Sequence, residues 1–113
     1  LNATRKSVFN VKTKESTRMN NAYVIGHITV KDQKKWTEYR NKVPATLESW
    51  GAELILRGNL VSVLSGNHTH TDTVVIRFPN LGALNDWYFS PEYQSLIPLR
   101  QEAAEMELLS YEE

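Results

Sequence analysis

The side chains with the greatest capacity for proton and anion chemistry in this sequence are a histidine, two arginines and a group of aromatic residues. His27 lies in "AYVIGHITV". An unperturbed imidazole titrates near pH ~6.5, so His27 is a candidate general base. Its structural alternative is a hydrogen-bonded core or interface histidine. Arg57 closes "AELILRG". An inward arginine must be paired, either with a ligand carboxylate held by both guanidinium branches, with Glu53, or with an acid of a partner chain. Tyr93 and Arg100 are seven residues apart in "SPEYQSLIPLR", which is two helical turns, so they share a face. With Tyr39 and Trp87 they could line an aromatic, cationic pocket for a small organic acid. The competing reading has Ser90 capping a helix, Tyr93 packing and Arg100 pairing with an acid.

Other chemistries find less support. His68 and His70 in "NHTHTD", with Asp72, are a weak metal set, and the segment reads as a solvated loop; no metal site is expected. The chain has no cysteine, which excludes disulfides and thiolate nucleophiles. It shows no phosphate-binding glycine loop and no nucleophile elbow. No cofactor is expected.

These residues need elements to position them. Residues 22–30 are β-branched and aromatic and read as a strand, with Tyr23, Ile25, His27 and Thr29 on one face. Residues 31–51 read as a helix with Asp32 as N-cap and Gly51 as its stop. Trp36, Tyr39, Val43, Leu47 and Trp50 form its apolar stripe. Pro44 removes a backbone donor, at about 3 kcal/mol in an ordinary helix, which predicts a kink or break near 41–43. Segments 52–58 and 60–66 read as two strands joined by a tight Gly-Asn hairpin, and 73–79 as another strand. Asn80 caps a short helix using Leu81, Leu84, Trp87 and Tyr88. Ser90-Pro91-Glu92 starts a second one, which Pro98 divides into two turns. Residues 105–111 read as the last strand.

This order predicts an α+β, ferredoxin-like split βαβ plan, with an antiparallel sheet and helices on one face. The other face would carry Tyr23, Ile25, His27, Ile55, Arg57, Val61, Val63, Val75 and Leu109. That set is too apolar for open water. A twofold homodimer with its sheets face to face buries it through one self-complementary patch.

The 113 residues suit one domain at 19–113, and the net charge is zero. Arg5, Lys6, Lys12, Lys14 and Arg18 face only Glu15 in residues 1–18, leaving the remainder acidic. That remainder is a poor phosphate-backbone binder, and no nucleic-acid partner is expected. "MNNAYVIG" follows, so residues 1–18 read as an N-terminal extension added ahead of Met19 or made from an alternative start. No apolar run approaches the ~18 residues of a membrane span, so no membrane partner is expected. The lack of cysteine fits a cytoplasmic protein.

"AYVIGHITV", "YRNKVPATL", "GAELILRG", "VVIRFPN" and "SPEYQSLIPLR" occur in an order and spacing that resemble the uncharacterised domain family 1330 (DUF1330), of the dimeric α/β-barrel superfamily. The resemblance covers residues 22–111 and implies a dimeric α/β barrel. The wording departs at Phe89 and Pro98, both at the mouth of the expected pocket. Superfamily relatives include cofactor-free oxygenases, isomerases and haem-handling proteins, so the fold selects no reaction. The expected function is a homodimer that binds a small aromatic or carboxylated metabolite and acts on it by acid–base or cofactor-free catalysis. His27 would move the proton, and Tyr39, Arg57, Trp87, Tyr93 and Arg100 would bind. The alternative is a non-enzymatic ligand-sensing or dimerisation domain.

Overall fold

The structure is a computed structural model and describes residues 20–113. The basic extension expected at 1–18 lies outside the described residues. Four strands form one antiparallel sheet in the order β2-β3-β1-β4: β1 Ala22–Val30, β2 Glu53–Asn59, β3 Asp72–Phe78 and β4 Ala104–Glu112. One face is covered by α1 Gln33–Leu47, α2 Leu81–Tyr88, α3 Pro91–Gln94 and α4 Ile97–Ala103. This is the α+β, ferredoxin-like plan expected.

β1 alternates as read. Ala22, Val24 and Ile28 are buried under the helices, while Tyr23, Ile25, His27 and Thr29 are half-buried on the open face. Gly26 lets its neighbours close over the covered face: a Cβ there would come within 3.0 Å of Val74 Cγ1 and 3.2 Å of Leu108 Cδ1.

α1 begins at Asp32, whose side chain accepts from the Lys35 amide at 3.1 Å. It buries Trp36, Tyr39 and Leu47, with Val43 and Trp50 packed beside them, so the apolar stripe stands as read. The break expected at Pro44 does not occur; the helix runs unbroken through it. Pro44 falls in the last turn, and Thr46 donates its hydroxyl to the Val43 carbonyl there, at 2.7 Å. A 3-10 turn, Glu48–Trp50, then stops at Gly51 with φ 67°, in the left-handed region that favours glycine. Pro98 does divide the last helical stretch: it sits at the start of α4, where a missing amide donor costs least.

Two expectations fail in the middle of the chain. Gly58-Asn59 is not a hairpin turn, and 60–66 is not a strand. β2 runs through both residues and pairs directly with β3, with Asn59 opposite Asp72. Leu60 then bonds Thr71 across the loop mouth, so 60–71 is the loop of a β2–β3 hairpin. β3 takes the place the extra strand would have filled. Val61 and Val63 therefore leave the sheet, and Val61 and Leu64 are each 96% exposed.

The second failure concerns which way β2 faces. Glu53 lies opposite Arg77 and Leu54 opposite Ile76, but beyond them Leu56 lies opposite Val75 and Arg57 opposite Val74. Ile55 is thus one extra residue, a bulge, and it reverses the alternation behind it. Arg57, expected on the open face with Glu53 and Ile55, is on the helix-covered face.

Candidate functional site

Between α1 and the covered face of the sheet lies a cavity of about 330 Å³. α1 contributes Trp36, Tyr39 and Arg40, and the β2–β3 edge contributes Arg57 and Asp72. Trp87 of α2 and Tyr93 of α3 complete the wall. The aromatic residues are mutually packed: Trp36 stacks on Tyr39 with ring centroids 5.3 Å apart, and Trp87 lies 4.3 Å from Tyr93. Trp87 is anchored at its polar end by Nε1–H donating to Thr46 Oγ1 at 2.9 Å.

Arg57 is brought to this cavity by the bulge. Burial, and then the charge of nearby Arg40, pull its guanidinium below the usual value. No carboxylate comes within 4.0 Å of Arg40 or Arg57 among the described residues. Glu53, the partner considered for Arg57, pairs with Arg77 on the open face. Asp72 on the cavity wall is held by the Asn59 amide at 3.0 Å. Two arginines with no carboxylate partner among the described residues, beside an aromatic wall, suit an anionic ring compound.

Deeper in, Tyr39 and Tyr93 join their hydroxyls at 2.8 Å, and Arg100 Nη1 donates to Tyr93 Oη at 2.8 Å. Burial first, and then the neighbouring Tyr93, push the Tyr39 phenol far above its ordinary value, so it stays protonated. Arg100 does not line the cavity; it acts on it through Tyr93.

The structure therefore brings Tyr39, Arg57, Trp87 and Tyr93 together, with Arg100 behind them. It does not bring His27 to the same place. His27 is on the open face, 3.3 Å from Thr73 Oγ1 through Nδ1, with its ring centroid 5.1 Å from that of His68. His68 and His70 are 6.0 Å apart, and His70 Nδ1 is 2.9 Å from Thr29 Oγ1. Among the described residues no group of three His, Cys, Asp or Glu side chains converges in a way that could hold a metal ion. Asp72 points to the opposite side of the sheet from this histidine cluster. Sequence reasoning passed over Trp36 and Arg40 as site residues. Their signal was available: both flank Tyr39 on the stripe side of α1.

The family model for DUF1330, a domain of unknown function, matches residues 21–113. The chain belongs to the DUF1330 family. No curated protein matches it in sequence. Solved structures share the fold of this DUF1330 domain. The RPA0582 protein of unknown function from Rhodopseudomonas palustris is 13% identical, with a TM-score of 0.72 over 92% of this chain and 92% of that one. A dimeric ferredoxin-like protein of unknown function from Jannaschia sp. CCS1 is 10% identical, with a TM-score of 0.67 over 82% and 99%. A hydroxynitrile lyase from Passiflora edulis is 13% identical, with a TM-score of 0.65 over 83% and 94%. Among the described residues no helix is long and apolar enough to cross a membrane.

Proposed function

We propose that this DUF1330 domain is a homodimer that binds a small aromatic acid in the cavity between α1 and the sheet. The carrying observation is the pairing of an aromatic wall with Arg40 and Arg57, which have no carboxylate partner among the described residues. The cavity, at about 330 Å³, falls within the size range of small-ligand sites. Tyr39, Trp87 and Tyr93 give the ring its walls, and Arg57 takes the carboxylate. The likeness to a hydroxynitrile lyase is one of fold and selects no reaction. Calorimetric titration with a panel of benzoates, each matched to its neutral benzyl alcohol, tests this reading. The acids should bind at least about tenfold more tightly than the alcohols, and Arg57→Met should remove that preference. Equal binding of acid and alcohol, or a preference untouched by Arg57→Met, would sink the reading.

A second reading assigns proton transfer to His27, and the clustering of His27 with His68 and His70 on the open face supports it. Any substrate of His27 must lie on the opposite side of the sheet from the cavity. His27→Ala should then leave benzoate binding unchanged while abolishing turnover of whichever substrate an activity screen finds. Retained turnover would remove His27 from the chemistry.

A further inference from the structure

Among the described residues, the two buried phenols hold one more proton than their neighbours accept. A guanidinium only donates, so the Arg100 bond to Tyr93 occupies a lone pair of Tyr93 Oη. The bond between the phenols uses one hydroxyl proton, whichever ring donates it. Two hydroxyls carry two protons, and the second finds no acceptor among the described residues. Both side chains are largely withdrawn from bulk water: Tyr39 is 6% exposed and Tyr93 0%. A buried donor left without a partner is unfavourable by about 1–3 kcal/mol. Both residues line the cavity, which is the side from which an acceptor can approach them.

Resting on the ligand-binding reading above, we propose that the Arg100–Tyr93–Tyr39 chain is a donor site for a negatively polarised oxygen of the cavity ligand, such as a phenolate, enolate or carbonyl oxygen. The spare phenol proton bonds that oxygen directly. Arg100 is a positioning residue: its charge polarises the Tyr93 hydroxyl and makes the chain a stronger donor. Burial keeps Tyr39 protonated, which makes it a donor and not a base. A pre-aimed donor in a water-poor site stabilises charge as it develops on such an oxygen, the requirement of any reaction passing through an enolate-like or phenolate-like species. The ligand class narrows accordingly, to a ring compound with an acceptor oxygen for the tyrosines and an anionic group for Arg57.

The probe that tests this is 4-nitrophenol, whose phenol and phenolate forms absorb at different wavelengths. Binding to the full chain is followed by tryptophan quenching, and ionisation of the bound probe by absorbance across pH. The bound probe should ionise at least about one pH unit below the free probe, a tenfold bias toward phenolate. Tyr39→Phe and Tyr93→Phe, which keep the rings, should each reduce that shift. Arg100→Met should also reduce it, although Arg100 does not touch the probe; a purely structural arginine would not change the ionisation of a bound probe. A bound probe that titrates like the free one overturns the proposal, as does a shift that survives all three variants. Absence of saturable probe binding to the unmodified protein overturns the donor chain where benzoates still bind, and the cavity reading as well where they do not. Binding without a shift overturns only the donor chain.

Discussion

Ser90 shows how one side chain sets the geometry of the site. It is buried, its hydroxyl donates to the Trp87 carbonyl at 2.7 Å, and its oxygen accepts from the Tyr93 amide at 3.2 Å. It therefore ties the end of α2 to the start of α3 and fixes the two aromatic residues that wall the cavity. The stretch from Trp87 to Arg100 turns a corner and builds a pocket wall with the same atoms. Ser90→Ala removes the cap and leaves the buried Tyr93 amide without its partner, while the Trp87 carbonyl keeps its bond from the Ser90 amide at 3.1 Å. The expected loss is about 1–3 kcal/mol of stability, read as a lower urea midpoint at unchanged slope. Ser95 serves as the comparison, because its hydroxyl bonds Glu92 at an exposed site and its replacement by Ala should change stability by less than about 0.5 kcal/mol. Equal effects of the two substitutions would show that Ser90 is not the joint described.

At the scale of elements, the legible parts were those with a clean period or a distinctive cap. α1 announces itself by its stripe, β1 by alternation, and α2 and α3 by Asn80 and Ser90. β2 was illegible in one respect. "ELILR" is apolar at consecutive positions, so no alternation distinguishes its faces, and a single extra residue at Ile55 sends Arg57 to the other side. Arg57 was thus chosen as a site residue from the wrong face. "LVSVLSG" alternates as a strand does, yet β3 already occupies the neighbouring position, and tertiary pairing overrides local pattern. The histidine cluster could not be foreseen either, because His27 meets His68 only when the 60–71 loop folds back over the sheet. Tyr39, Trp87 and Tyr93 were legible as a wall because each sits at a buried position of a recognisable helix. Their link to Arg100 followed from two-turn spacing, although the helix is interrupted between them at Ser95–Leu96.

At the scale of the molecule, the open face of the sheet is ordered into rows. Leu56, Val75, Ile25 and Leu109 lie side by side across all four strands, an apolar band one residue deep. On one side of it run Glu53, Arg77, Tyr23 and Tyr111; on the other, Gly58, Thr73, His27 and Glu107. The band is the natural centre of the twofold interface proposed for this domain, with polar rows as its rim. Leu109 is the most informative position in it. It is 40% exposed on an edge strand, so a charge there is tolerated by a monomer but would be buried without a partner in the dimer. Leu109→Asp should leave the unfolding midpoint of the monomer nearly unchanged and weaken self-association by at least about a hundredfold. Sedimentation equilibrium over a concentration series measures both chains. If Leu109→Asp associates as tightly as the unsubstituted protein, the interface lies elsewhere, and the apolar loop bearing Val61 and Leu64 becomes the surface to substitute next. If the unsubstituted protein sediments as a monomer throughout, the apolar band is not a self-association surface.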